Sequence, residues 1–177
     1  VTYANIDNIT PTGHAFDENL PVNPLDRWLL SITQKLKSDV SVALDNYDLS
    51  GAIDPIISYI DQLNNWYIRR TRDRFWEGDT QAFDVLYTVL INLCKIAAPL
   101  LPFVTEYIYK NLTKEESVHL TDYPVLSEVK FDKDLVEEMD FLQDLCSAGK
   151  FIREEKNLRN RLPLNSLTVV GYELKQS

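Results

Sequence analysis

The chain has 177 residues, of which 45% are hydrophobic and 25% charged, with only 5 Gly and 8 Pro. This composition is typical of a folded globular protein and excludes disordered, collagen-like and low-complexity chains. The formal net charge of −9 argues at first against a polyanionic partner. The 2 cysteines exclude both a disulfide framework and a cysteine-rich zinc site.

No apolar run reaches the roughly 18 residues that a membrane span requires. The N-terminus has no positively charged segment that would begin a secretory signal, and the start at Val1 leads us to expect a piece of a longer chain. We therefore expect a cytoplasmic protein with no membrane contact. In that compartment Cys94 and Cys146, which lie at apolar helical positions, would be reduced core residues.

The first predicted elements are an irregular lead-in and two long helices. Residues 1–22 contain three breakers, and Asn23-Pro24 then provides an N-cap and a first-turn proline, which begin a helix that runs to about residue 46. A second helical pattern covers about 48–76. Its predicted buried stripe consists of Ile53, Ile57, Ile60, Asn64, Ile68, Thr71 and Phe75. Pro55 lies inside this pattern, so either the helix is kinked there or it begins with Asp54 as N-cap.

Further helices are predicted over about 80–98, 102–112 and 132–157, with a non-periodic connection over 113–131. The stripe of the last helix is Leu135, Met139, Leu142, Cys146 and Ile152. Residues 167–172 resemble a strand without a partner, which is not stable as a sheet. The prediction is an all-α bundle of four to five helices with a short C-terminal extended tail. Its domains are a lead-in over 1–22, the bundle over 23–158 and an exit segment over 159–177.

The sequence offers no constellation for catalysis or metal binding. It contains no glycine-rich phosphate loop and no serine or cysteine nucleophile motif. Glu116-x-x-His119 matches half of a di-iron signature, which needs a second such pair and two more glutamates. We therefore predict no catalytic residue, no metal ligand and no cofactor in this chain, and a stand-alone enzyme is disfavoured.

The distribution of charge points to a different function from the net charge. Residues 66–76 and residues 150–161 each carry +3, whereas the remaining 154 residues carry −15. Two basic patches on an acidic body can attract phosphate locally while the rest of the surface repels it.

The segment 65–76 is the most unusual one, since it holds four of the 8 arginines and two of the 3 tryptophans. On a wheel with about 100° per residue, Ile60, Asn64, Tyr67, Ile68, Thr71 and Phe75 lie on one side. Arg74 flanks that side. The opposite face interleaves three guanidinium groups with two indoles, from Trp66, Arg69, Arg70, Arg72 and Trp76; we call this set the arginine–indole face.

Two functions compete for this face. Guanidinium groups bind phosphates, and indole and guanidinium planes stack on unpaired bases, which together suit a single-stranded RNA loop. Alternatively, the chain is a non-catalytic protein-interaction bundle that uses the same face to dock on a sister domain, with its arginines in salt bridges.

Residues 65–76 resemble the hallmark helix of the isoleucyl-tRNA synthetase anticodon-binding domain, Asn-Trp-Tyr-Ile-Arg-Arg above all. Other segments resemble this family in the family's order along nearly the whole chain: 3–7, 24–31, 97–103 with Glu106, 117–124 and 159–164. The valine and leucine enzymes share the bundle, but the run at 65–70 is more similar to the isoleucine enzymes.

The resemblance implies a module that binds the anticodon stem-loop of tRNA(Ile), as part of a monomeric enzyme. The full enzyme would use ATP and magnesium in a catalytic domain of the same polypeptide, and neither signature motif of that domain is present here. The residues that we expect to contact tRNA are Trp66, Arg69, Arg70 and Arg72, together with Lys150, Arg153, Lys156, Arg159 and Arg161 as backbone contacts.

Overall fold

The computed structural model describes Pro11 and residues 23–126 and 131–170. Across these residues the chain forms six α-helices, a π-helical segment and a 3-10 turn, and no β-strand, which confirms the all-α prediction. The chain divides into two compact units, Val1–Glu137 and Glu138–Ser177. The predicted lead-in lies outside the described residues except for Pro11, and the domain boundaries proposed above stay predictions.

Helix α1, Pro24–Asp45, begins as the local sequence predicts. The Asn23 side chain accepts a hydrogen bond from the Leu25 amide at 2.9 Å, and Pro24 fixes the first helical φ. The first half of the helix is buried on nearly all sides, because Trp28, Leu29 and Leu30 are all fully covered. This burial makes α1 the central element of the first unit, where it packs against α2 and α4.

The long helix predicted over 48–76 is in fact three segments. Helix α2 spans Leu49–Gln62, a π-helix spans Leu63–Ile68, and the short helix α3 spans Arg72–Trp76. Of the two possibilities that Pro55 left open, a helix start at Asp54 is wrong. The N-cap is Asp48, whose side chain accepts from the Gly51 amide at 2.9 Å. Gly51 lies so close to this carboxylate that a β-carbon there would clash with it.

Helices α4, Thr80–Ala97, and α5, Pro102–Thr113, confirm the next two predictions. Asp79 caps α4 by accepting from the Gln81 and Ala82 amides. The predicted connection after α5 contains one 3-10 turn, Val118–Leu120, which Glu106 of α5 fixes by accepting from the Ser117 hydroxyl and the Val118 amide, both at 2.9 Å.

The core of the first unit has two parts. Trp28, Leu36, Ile56, Val85 and Val89 are buried in the main part, between α1, α2 and α4. A smaller cluster of Cys94, Ala98, Tyr109 and Val118 joins α4 to α5 and the 3-10 turn. Each fully buried aliphatic side chain contributes about 1.5–3 kcal/mol, so the main core holds the elements that carry the arginine-rich segment.

Helix α6, Lys133–Glu155, has the predicted extent but not the predicted buried stripe. Val136 and Met139 are buried, whereas Leu142, Cys146 and Ile152 are exposed. The expectation that both cysteines are core residues is therefore wrong for Cys146 and right for Cys94. A periodic apolar face shows which side of a helix could be covered, but burial needs a second element against it. Of the predicted C-terminal strand, residues 167–170 have no regular structure, and the rest lies outside the described residues.

Candidate nucleic-acid interface

The π-helix is explained by the spacing of the buried residues. Tyr59, Leu63, Tyr67, Thr71 and Phe75 are all buried and follow one another at intervals of four. An α-helix has about 3.6 residues per turn, so such a stripe would drift around its surface. A π-turn is wider, because its hydrogen bonds join residues five apart. Leu63–Ile68 therefore keeps the stripe directed at the core.

This geometry corrects the predicted core side of the segment. Ile53, Ile57 and Ile60 are exposed, Asn64 is exposed and Ile68 is half-buried. The buried stripe of α2 lies one position earlier, at Ala52, Ile56 and Tyr59. The buried stripe predicted from the helical wheel was wrong because apolar residues occupy two adjacent faces of α2. In addition, a constant angle per residue does not hold through a π-helical segment.

The arginine–indole face lies on the exposed side, as predicted. Arg69, Arg70 and Arg72 are exposed, Trp66 is half-buried and Trp76 keeps 53% of its surface accessible. The Arg70 guanidinium carbon lies 4.2 Å from the centroid of the Trp66 ring, and that of Arg72 lies 4.3 Å from the centroid of Trp76. Each cation–π contact of this kind is worth about 0.5–1 kcal/mol at an exposed site. The face therefore consists of two prearranged guanidinium–indole pairs, with Arg69 beside them in sequence.

Arg74 has a different position from the other three arginines of the segment. Its Nη1 and Nη2 donate to Asp26 Oδ1 and Oδ2 at 2.9 and 2.8 Å, and its Nε donates to Asp79 Oδ2 at 2.7 Å. The Tyr67 hydroxyl also donates to Asp26 Oδ1, at 2.8 Å. We call these four residues, Asp26, Tyr67, Arg74 and Asp79, the anchor network. The sequence analysis placed Arg74 beside the core but did not identify its partners. The available sign of a buried partner was Asp26, which lies two residues before the apolar run Trp28-Leu29-Leu30.

Burial and hydrogen bonding in the anchor network shift the pKa values of Arg74, Tyr67 and Asp79. Hydrogen bonds from Arg74 to Asp26, and secondly to Asp79, raise the pKa of Arg74 above its usual range. Burial, reinforced by the Asp26 charge, raises the pKa of the Tyr67 hydroxyl, which remains a neutral donor. Burial alone would raise the pKa of Asp79, but the bonds from Arg74 and the Ala82 amide outweigh it and lower that pKa. The charge of Arg74 is thus neutralised inside the protein and adds little to the exposed positive surface.

The second basic patch, residues 150–161, lies in the second unit at the end of α6 and in the turn after it. Lys150, Lys156, Arg159 and Arg161 are exposed. Arg153 is half-buried, and its Nη1 faces the carbonyl oxygens of Arg159, Asn160 and Leu162 at 3.0, 3.4 and 2.9 Å. Arg153 therefore holds the turn that carries Arg159 and Arg161, a role that the sequence did not reveal.

The described ranges, 23–126 and 131–170, hold neither a candidate metal site nor a candidate membrane span. They contain no group of three or more histidine, cysteine, aspartate or glutamate side chains that could hold a metal ion. His119 of the Glu116-x-x-His119 motif instead lies with its Nε2 3.2 Å from the Pro102 carbonyl oxygen. None of the helices described is long and apolar enough to cross a membrane.

Comparison with known proteins bears directly on this site. The chain matches the family described as the anticodon-binding domain of tRNA ligase over residues 26–169, a range that includes the anchor network, the arginine–indole face and the second basic patch. The chain belongs to this family. The expected resemblance is therefore confirmed at the level of the domain.

Similar curated proteins carry the name isoleucine–tRNA ligase. The protein of Treponema denticola is 45% identical over 96% of this chain, and that of Corynebacterium efficiens is 51% identical over 82% of it. The protein of Mycobacterium tuberculosis is 46% identical over 84% of the chain. The chain covers only 17%, 14% and 14% of these three proteins, so it spans about one seventh to one sixth of their length.

Proposed function

We propose that this chain is the module of an isoleucine–tRNA ligase that binds the anticodon stem-loop of tRNA(Ile). In the whole enzyme, a catalytic domain of the same polypeptide would perform the ATP-dependent aminoacylation, so that this chain itself holds neither ATP nor magnesium. We further propose that the enzyme is a cytoplasmic monomer. Family membership supports this function, and the observation in this chain that carries it is the exposed arginine–indole face.

The chemistry of the face suits an RNA loop. The guanidinium groups of Arg69, Arg70 and Arg72 can donate charge-assisted hydrogen bonds to phosphate oxygens. The open side of the Trp76 ring can stack on an unpaired base, which contributes about 1–3 kcal/mol per base. The stacked arginines are partly immobilised already, so binding costs less side-chain entropy than it would for free arginines.

The second patch would contribute sequence-independent contacts. Lys150, Lys156, Arg159 and Arg161 have no aromatic neighbour in their segment other than Phe151, and their exposed charges suit phosphates of the stem. Binding energy collected on this chain would then hold the tRNA in the position that the distant chemistry requires.

A second candidate function is docking of the arginine–indole face on the catalytic domain. The exposed Trp76 favours it, because tryptophan and arginine are enriched at protein interfaces. The two candidates differ in salt dependence: RNA contacts weaken steeply as salt rises, whereas a largely apolar docking contact does not.

The test is fluorescence anisotropy of a labelled tRNA(Ile) anticodon stem-loop, titrated with the chain at two salt concentrations beside a scrambled-loop control. We expect salt-sensitive binding that prefers the true loop. The double variant Arg69→Ala/Arg70→Ala should weaken this binding by roughly tenfold or more and reduce the salt slope by about one per lost phosphate contact. Lys35→Ala, which removes one exposed charge from α1, is the matched control and should leave the affinity within about twofold. Absence of binding, or equal loss in both variants, would contradict the proposed function.

A further inference from the structure

The carboxylate of Asp26 is the most completely enclosed charge in the described part of the chain. The residue has 0% of its surface accessible, although it lies in the first turn of α1. A carboxylate in such a place is costly unless hydrogen bonds satisfy both oxygens. Here Arg74 binds both oxygens in bidentate fashion, and Tyr67 donates a further bond to Oδ1.

The donors to this carboxylate come from the π-helix and α3, which carry Trp66, Arg72 and Trp76 of the arginine–indole face. Tyr67 belongs to the π-helix and directly follows Trp66, whose ring carries Arg70. Arg74 belongs to α3 and lies between Arg72 and Trp76, which form the other pair.

Side-chain bonds from outside the segment add to the backbone in fixing the orientation of helix α3. It has only five residues, and Thr71, which precedes it, has φ −87° and ψ 2° and is not helical. Arg69, Arg70 and Thr71 join the π-helix to α3, and the chain bends at Thr71. The backbone hydrogen bonds continue through the bend, since the Thr71 amide donates to the Tyr67 carbonyl at 2.9 Å and the Phe75 amide donates to the Thr71 carbonyl at 3.1 Å. The Arg74 side chain ties α3 to Asp26 of α1 and to Asp79, the N-cap of α4. Because a bidentate guanidinium–carboxylate pair fixes distance and plane together, this contact sets the orientation of α3.

We propose that Asp26 is a positioning residue of the arginine–indole face, holding its Trp66–Arg70 and Trp76–Arg72 halves in one fixed arrangement. Asp26 does not touch the bound molecule; it acts through Tyr67 and Arg74. The consequence for RNA affinity rests on the proposed function, whereas the effect on the arrangement of the face does not. The sequence does not show that Asp26 and Arg74 pair, since 48 residues separate them.

The first test is independent of RNA. The indole N–H signals of Trp66 and Trp76 are followed by NMR in Asp26→Asn, an isosteric change that removes the charge and one acceptor. Asp39→Asn on the exposed side of α1 is the matched control. We expect both indole signals to shift or broaden in Asp26→Asn and neither to move in Asp39→Asn. Trp28 is left out of the comparison because it lies two residues from the substitution.

Two further variants separate the halves of the face and decide the question if Asp26→Asn does not fold. Tyr67→Phe removes only the bond to the π-helix and should move the Trp66 signal more than the Trp76 signal. Arg74→Lys keeps a positive charge but loses the bidentate fork, so it should move Trp76 more than Trp66. If the variants lower thermal stability but leave both indole signals unchanged, Asp26 is merely structural and the proposal is overturned.

The second test uses the labelled stem-loop at a temperature where each variant is fully folded. Asp26→Asn should weaken binding by roughly tenfold and lower its salt slope, because misplaced arginines lose phosphate contacts. Unchanged affinity in a variant whose indole signals have moved would overturn the link to RNA binding. If the unmodified chain does not bind the stem-loop, the proposed function fails while the NMR comparison still decides the role of Asp26.

Discussion

The two arginine-rich segments carry the same formal charge of +3 but are held by different groups. In residues 66–76, Arg74 forms ion pairs with the carboxylates of Asp26 and Asp79, and Asp26 is completely buried. In residues 150–161, Arg153 instead faces backbone carbonyls of a surface turn. In each segment one arginine is therefore hydrogen-bonded within the protein, to carboxylates in the first segment and to backbone carbonyls in the second, while the other basic side chains are exposed.

Under the proposed function, this difference has consequences for RNA recognition. The arginine–indole face is anchored to the core of its unit and alternates flat rings with charges, an arrangement that can discriminate one loop geometry from another. The basic segment 150–161 presents exposed charges on a helix end and a turn, and a positive field of this kind attracts any phosphate backbone.

The largest expected effect is on stability, from Arg74→Met. This change leaves the Asp26 carboxylate buried without its main partner, and breaking a buried ion pair from one side costs roughly 3–5 kcal/mol. Arg72→Met, two residues earlier, removes only an exposed cation–π contact and should cost at most about 1 kcal/mol. Urea unfolding of both variants measures the difference. Equal losses in the two variants would show that Arg74 is no more an anchor than Arg72.

A smaller effect is expected on discrimination between RNA loops. Lys150→Ala/Lys156→Ala should weaken binding of the true and the scrambled loop by a similar factor, roughly three- to tenfold at low salt, because backbone contacts carry no sequence information. Arg69→Ala/Arg70→Ala should instead reduce the preference for the true loop. The ratio of the two dissociation constants, measured by anisotropy for each variant, tests this contrast. A loss of preference in the lysine variant would mean that the second patch also reads the loop.

The smallest effect is a dependence of stability on pH that involves Asp79. Its pKa is lower in the folded chain than the usual 3.8. The stabilisation from its bonds to Arg74 and the α4 amides is therefore fully present above that value and is lost as pH falls through the folded pKa. Unfolding free energies, measured from neutral pH to below 3.8, should fall less steeply for Asp79→Asn than for the unmodified chain. Parallel curves would show that Asp79 does not contribute to the acid sensitivity.

Several elements could be predicted because their signals are local. Asn23-Pro24 and Pro102 begin α1 and α5 as the sequence indicates, since capping and proline effects act within one helical turn. The outward placement of Arg69, Arg70 and Arg72 was also predictable, because a run of charges next to an aromatic stripe leaves few other orientations.

Other features could not be predicted from the sequence pattern. One face of α2 carries Ile53, Ile57 and Ile60. The adjacent face carries Ala52, Ile56 and Tyr59, so hydrophobic periodicity fits either face as the buried one. The buried face is the one that α1 covers, and a helical wheel does not include contacts with another helix. The stripe on α6 failed for the same reason, as the exposed Leu142 and Ile152 show.

The sequence by itself therefore determined the helical class, most helix ends, the family and the composition of the arginine–indole face. The tertiary structure decided which side of α2 is buried, where the π-helix lies and that Arg74 is the arginine that pairs with the buried Asp26. The physical reason is distance along the chain. Caps, prolines and charge runs act between residues a few positions apart, whereas the choice of a buried face and of a buried ion pair depends on contacts between helices that the chain brings together only when it folds.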